Sequence, residues 1–132
     1  VKKMALRGCD LSSSNVAVLG VTFKENCPDI RNSKVFDMIA ELKSWGIGVL
    51  VSDPLADPDE VQKHFGVTLH RKIPAQSCDA IIVAVAHKEY KVMTLGELSD
   101  FCKKRDKVVL GDIKSIYNRY DCIEMGFDVF RL

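Results

Sequence analysis

The chain lacks several features that would announce a familiar chemistry. No apolar stretch approaches the roughly 18 residues of a membrane-spanning helix, and the first residues show no charged–apolar–small leader pattern. An excess of one charge is missing too. The 19 basic side chains meet 18 acidic ones, a formal net charge of +1, so no bulk field gathers nucleic acid or an anionic membrane surface. The five cysteines (Cys9, Cys27, Cys78, Cys102 and Cys122) are scattered, with no Cys-x-x-Cys pair and no histidine at ligand spacing. That excludes a metal centre and argues for free thiols over a disulfide framework. Cys78 and Cys102 are expected to pack as small apolar groups, and Cys27 to fill a loop. Together these absences predict a cytoplasmic domain. Also absent is the Gly-x-Gly-x-x-Gly turn with which a dinucleotide fold admits a pyrophosphate.

What is present is a regular alternation of strand-like and helical segments. At 132 residues, 47% hydrophobic, the chain forms one domain with a single core. The run Asn15 to Gly20 is continuously apolar, as in a strand buried on both faces. A helix follows, with Val35, Met38, Ile39, Leu42 and Trp45 in a stripe, Asn32 or Ser33 as its cap and Gly46 at its end. The second strand is Gly48 to Ser52, and the next helix is punctuated by Asp57, Pro58 and Gly66. A short third strand falls at Val67 to Leu69, and residues 72–78 form a connection with one helical turn. The fourth strand, Ala80 to Val85, is the most apolar and is placed centrally. Thr94 and Glu97 form a capping box for a helix with Leu95, Leu98, Phe101 and Cys102 on one side. A fifth strand, Val108 to Gly111, a short helical turn and a final apolar piece, Phe127 to Phe130, complete the pattern. The fold class is α/β: a Rossmann-like three-layer α/β/α domain with a mostly parallel sheet in the order 3-2-1-4-5. Residues 1–8 look like the last turns of a helix ending at Gly8, and the chain like a fragment from the C-terminal part of a longer one.

In an open parallel sheet, ligands bind beyond the carboxyl ends of the strands where the strand order reverses. Here that crevice lies between the first and fourth strands. Gly20 to Lys24, Ala86 to Tyr90 and Asp112 to Lys114 converge on it, bringing Lys24, His87, Lys88 and Lys114. Cations gathered at one point of a neutral domain suit an anion, most simply a phosphate or diphosphate. Phe23 serves equally as ligand wall or core, and His87 as a hydrogen-bonded loop histidine or an acid–base group. Asp29 and Arg31 brace the long loop that ends at Ser33. Asp53 either reads a ribose or, ahead of Pro54, shapes a turn.

Laid together, these segments resemble the C-terminal domain of the UDP-glucose/GDP-mannose dehydrogenase family. The resemblance runs from about Asn15 onward. It rests on Val18-Leu19-Gly20-Val21-Thr22-Phe23-Lys24, on Asp29-x-Arg31-Asn32-Ser33, on Ser52-Asp53-Pro54, on Asp79-Ala80 and on Asp112-x-Lys114. It implies a three-part enzyme: an N-terminal NAD-binding domain, a central helical region that makes a homodimer, and this domain, which closes over a UDP-sugar. Residues 1–14 would be the tail of the central region and 15–132 the UDP-sugar-binding domain. Phe23, Lys24, Lys114 and His87 would then face substrate, with Asp29, Arg31 and Ser33 as structural loop residues. The implied reaction oxidises the sugar C6 alcohol to a carboxylate with two NAD. The family's Gly-Phe-Gly-Gly-x-Cys segment and its Gly-x-Gly-x-x-Gly have no counterpart here. The chain therefore carries no catalytic residue, binds no NAD itself and is expected to be inactive alone. Lys114 stands where UDP-glucose enzymes usually show Arg, and Glu25-Asn26 follows Lys24, which resembles the UDP-N-acetylhexosamine branch. A lysine offers phosphate a point charge rather than a fork.

Two other classes remain to be weighed. An NAD-binding Rossmann domain would place Asp53 on the ribose. A non-catalytic oligomerisation module would hold no ligand.

Overall fold

The computed structural model describes residues 13–105 and 108–130. The helix expected to end at Gly8, the tail assigned to residues 1–14 up to residue 12, and Cys9 lie outside the described residues.

Five parallel strands form one sheet in the order β2-β1-β3-β4-β5, with β1 Asn15–Leu19, β2 Gly48–Ser52, β3 Ala80–Val83, β4 Val109–Asp112 and β5 Asp128–Phe130. The expected third strand is reduced to a single bridge, Leu69 to Val51, on the outer side of β2. With that bridge counted, the 3-2-1-4-5 order stands, and the final apolar piece extends it as β5. Helices cover both faces of the sheet. The described residues supply five: α1 Val35–Ser44, α2 Pro58–Phe65, α3 Lys88–Lys91, α4 Leu95–Ser99 and α5 Arg119–Glu124. Residues 72–78 form a turn and not a helix.

The period-2 alternation of strand side chains divides the core in two. Val16 and Val18 of β1 and Ile82 of β3 pack with Ile39, Leu42 and Val61 of α1 and α2. Ala17, Leu19, Ile81 and Val83 face the other way, onto Tyr90, Leu98 and Cys122 of α3, α4 and α5. Strands buried on both sides have no polar face to show, hence the unbroken apolar runs.

The helix signals succeed where they are local. Asp57 caps α2 by accepting from the Asp59 N–H at 2.9 Å, with Pro58 at the first position and Gly66 at φ +66° closing the end. Thr94 and Glu97 make the reciprocal capping box of α4. The start of α1 differs from expectation: Lys34 is its cap residue and makes no side-chain capping bond. Asn32 is held left-handed at φ +62°, and the Ser33 hydroxyl caps nothing. The stripe of α1 is also rotated, so Phe36, Ile39 and Leu42 are buried while Trp45, beyond the last turn, is 53% exposed.

Cys78 and Cys102 are buried and lie opposite each other in a backbone bridge. Burial pushes the Cys78 thiol up and the Cys102 thiol up to about 12. Both are packing groups, as expected, while Cys27 is partly exposed.

Candidate functional site

The register places the site. Leu19 pairs with Ser52 and with Val83, and Val83 with Asp112, so β1 to β4 end on one level. Three ladder-type bonds carry the pairing one residue further: Gly20 N–H to Ser52, Ala84 N–H to Leu19 and Ile113 N–H to Val83. The loops at Gly20, Ala84 and Ile113 therefore leave the sheet side by side, at the crevice between β1 and β3 where the crossover direction reverses.

Gly20 makes the first of these turns possible. Its φ is +96°, and a Cβ there would lie 2.7 Å from the Val85 Cβ. From that corner residues 21–29 fold outward, closed by the Phe23 N–H bond to the Asp29 carbonyl at 2.7 Å. Asp29 then holds Arg31 twice through its side chain, at 3.0 Å each, and accepts the Arg31 N–H at 2.9 Å. The Arg31 hydrogen bonds hold the Asp29 carboxyl below the usual carboxylate range. This pair is the loop brace that the sequence suggested.

Beneath the loop lies a cavity of about 400 Å³ whose wall includes Phe23, Lys24, Ser33, Lys34 and Lys114. Met38, Val85 and Ile113 supply its apolar side. Phe23 is 57% exposed, so it is wall and not core. Three lysines face one acid, Glu25, across this wall. Two details point to an anion. Lys34 places a cation at the positive end of the ten-residue α1, where Asp37 in the first turn offsets part of that charge and a bound anion would offset the rest. The Ser33 hydroxyl is buried at the same corner without a partner.

A larger cavity of about 560 Å³ opens on the opposite face, over Leu19, Tyr90 and Met93. Its rim interleaves Arg71, Lys72 and Arg105 with Glu89, Glu97 and Asp100, so it offers no excess of either sign. The smaller, cationic cavity is the better anion site.

Lys24, Lys114 and Phe23 thus share one cavity, as expected. Lys34 was not foreseen, and its signal was a lysine at a helix start. His87 does not line the cavity. It lies behind the loop with no exposed surface, both ring nitrogens engaged. Asp53 takes the turn-shaping role: its carboxylate accepts from the N–H groups of Val21, Leu55 and Ala56 and leaves no surface for a ribose. Asp112 is also buried, and accepts from Ile116 and Tyr117 N–H at 3.0 and 2.9 Å, which shapes the turn carrying Lys114. Among the described residues no group of three metal-ligating side chains occurs.

This geometry coincides with a sequence match. Residues 17–119 match the UDP-glucose/GDP-mannose dehydrogenase family, UDP binding domain. The chain belongs to that family. It is 40% identical over 116 residues to the UDP-N-acetyl-D-glucosamine 6-dehydrogenase of Salmonella typhi, covering 88% of this chain and 27% of the relative. It is 39% identical over 119 residues to protein CapL of Staphylococcus aureus, covering 89% of this chain and 27% of that protein. In fold it is similar to the crystal structure of NDP-N-acetyl-D-galactosaminuronic acid dehydrogenase from Methanosarcina mazei Go1. There the TM-score is 0.84 at 22% identity, over 98% of this chain and 26% of the other. The chain thus spans about a quarter of the length of the family members it matches. The matched segment contains every residue of the cationic cavity.

Proposed function

We propose that the chain is the nucleotide-sugar-binding domain of an NAD-dependent UDP-sugar 6-dehydrogenase, and that the diphosphate lies in the cavity of Lys24, Lys34 and Lys114. The observation that carries this reading is the pairing of three converging lysines with an unsatisfied Ser33 hydroxyl at the start of α1. A diphosphate supplies acceptors for the hydroxyl and for the helix-start amides, and charge for the ammonium groups. Phe23 offers its exposed ring to the nucleoside or sugar. UDP-N-acetylhexosamine is the favoured substrate class. The Salmonella typhi relative acts on such a sugar by its name, and Lys114 is a point charge, not a bidentate fork.

In the full enzyme the reaction converts a primary alcohol and water to a carboxylate, passing four electrons to two NAD. This chain's share is positioning. Cations and backbone donors fix the diphosphate, so the C6 carbon is presented to groups on other domains. The residues here do not fit NAD: the glycine-rich turn is missing and the Asp53 carboxylate is fully engaged. NAD and the catalytic thiol would come from the NAD-binding and central helical domains, in a dimeric, cytoplasmic enzyme. Residues 1–14 would lead in from the central helical region and 15–132 form the binding domain. Among the described residues no helix is long and apolar enough to cross a membrane.

The test is an NMR titration of the labelled chain with UDP, UDP-N-acetylglucosamine and NAD in parallel. Shifts at Phe23, Lys24, Ser33 and Lys114 with both UDP compounds, and none with NAD, are expected. A response to NAD alone, or to none of the three at millimolar concentration, overturns the reading.

A further inference from the structure

The loop over the cavity is held from behind by a buried polar cluster. His87 follows β3 and Asp53 follows β2, and neither side chain has exposed surface. The Asn26 N–H donates to His87 Nδ1 at 2.9 Å. That nitrogen is therefore the acceptor, and Nε2 carries the ring proton. Nε2 lies 3.0 Å from Asp53 Oδ2 and 3.1 Å from Thr22 Oγ1. Thr22 donates its own proton to the Lys24 carbonyl at 3.0 Å, which leaves its oxygen free to accept from the ring. Asp53 Oδ2 also takes the Val21 N–H at 2.8 Å. The Asn26 side chain closes the arrangement by accepting the Lys88 N–H at 2.9 Å.

A histidine that merely filled core volume would find partners wherever they happened to lie. Here its partners are Thr22, Asn26 and the carboxylate that holds Val21, all controlling one six-residue segment. Between the tethers Phe23, Lys24 and Glu25 are exposed and line the cavity. Asn26 sits left-handed at φ +58°, a conformation in which two outside bonds help to keep it.

We infer that His87 is a positioning residue: from the end of β3 it fixes residues 21–26 in the shape that presents Phe23 and Lys24 to the anion. The inference rests on the diphosphate reading of the cavity. Without the tethers the loop is ordered only on binding, and that cost is subtracted from affinity.

The two ring nitrogens can be replaced separately. In His87→Asn the amide oxygen stands near Nδ1 and retains the Asn26 link. In His87→Gln the amide nitrogen stands near Nε2 and retains the Asp53 and Thr22 links. Thr22→Val removes one hydroxyl and leaves the ring in place. Each is made in the full chain and read by amide exchange and by UDP titration, with Lys24→Ala as the direct control. Long-range proton–nitrogen spectra of the wild-type ring should show the proton on Nε2.

With exchange protection retained in β1 and β3, His87→Gln should lose protection at Asn26 and His87→Asn at Val21 and Thr22, and each should bind UDP about tenfold more weakly, the ordering of roughly one residue's backbone. Thr22→Val should weaken binding about threefold. Folded His87 variants with protected loop amides and a UDP Kd within twofold of wild type overturn the inference, as does a ring proton on Nδ1. If the His87 variants do not fold, Thr22→Val decides by the same two readouts. Unchanged UDP binding in Lys24→Ala overturns the diphosphate reading instead, and loop exchange still judges the role of His87.

Discussion

Gly20→Ala tests the corner on which the site is built. The backbone there has φ +96°, where an L side chain is strained by about 1–3 kcal/mol. The new methyl would also stand 2.7 Å from the Val85 Cβ and 3.0 Å from the Val85 backbone nitrogen, where ordinary contact begins at 3.4 Å. Neither atom is the free end of a flexible chain, so the strand ends must part, an overpacking cost of about 1–3 kcal/mol. The sum is about 3 kcal/mol or more. For a domain of this size each kcal/mol moves Tm by about 3–5 °C, which gives a fall of roughly 10 °C in thermal unfolding followed by circular dichroism. A second substitution sharpens the test. Val85→Ala removes the Cγ2 at 3.0 Å but keeps the Cβ at 2.7 Å and the backbone nitrogen at 3.0 Å, so adding it to Gly20→Ala should restore only a minor part of the stability. A Gly20→Ala protein melting within about 2 °C of wild type would refute the geometry, because so small a shift leaves no room for a loss of several kcal/mol. Full rescue by Val85→Ala would refute the assignment of the clash.

Phe23→Ala should leave Tm nearly unchanged, within about 0.5 kcal/mol, because the ring is 57% exposed, while weakening UDP-sugar binding. A loss of about 3–5 kcal/mol, as for a core phenylalanine, would contradict its place in the cavity wall. Asp112→Asn puts an amide group against the Ile116 or Tyr117 N–H in a fully buried site. It should cost about 1.5–3 kcal/mol in urea unfolding and speed amide exchange in the Lys114 turn. An unaltered midpoint would contradict the bracing role. The buried thiol of Cys102 is raised from 9.0 to about 12 by desolvation, so the fold favours its neutral form. The stability this contributes is complete below about pH 9 and drains away as pH rises toward 12, because the unfolded chain ionises first. Burial pushes Cys78, Tyr90 and Tyr117 in the same direction. Urea midpoints should be flat to pH 9 and fall through pH 9–11, and a flat profile to pH 11 would refute this account.

Much of the architecture could be read from local pattern. Continuous apolar runs gave the strands, because a strand buried on both faces tolerates little else. Asp57, Pro58, Gly66 and the Thr94–Glu97 box marked helix ends, because capping bonds span only two or three residues. Lys24 and Lys114 were legible as a pair because both follow strand ends, and a parallel sheet brings such ends together. The third strand was over-read: Val67 to Leu69 carries strand-type residues, but lying outside β2 it forms only the Leu69 bridge. Trp45 fits the helical period of α1 and still lies outside, since the helix stops at Ser44.

The cavity's membership was less legible. His87 and Lys114 follow strands alike, yet one is sealed behind the loop and the other opens to the cavity. Ser33 looked like a cap and is instead an unpartnered hydroxyl in the cavity wall. Lys34 carried a weak signal, a cation at the wrong end of a helix dipole. By itself the sequence determined the elements, their parallel arrangement, the crevice and the two lysines that meet there, all consequences of short-range periodicity and capping. Only the tertiary structure decided which polar residues line the cavity and which hold the loop. Those roles depend on bonds such as Asn26 to His87 and Thr22 to His87, which span 61 and 65 residues. Such bonds follow from the register of β1, β2 and β3, which no local pattern specifies.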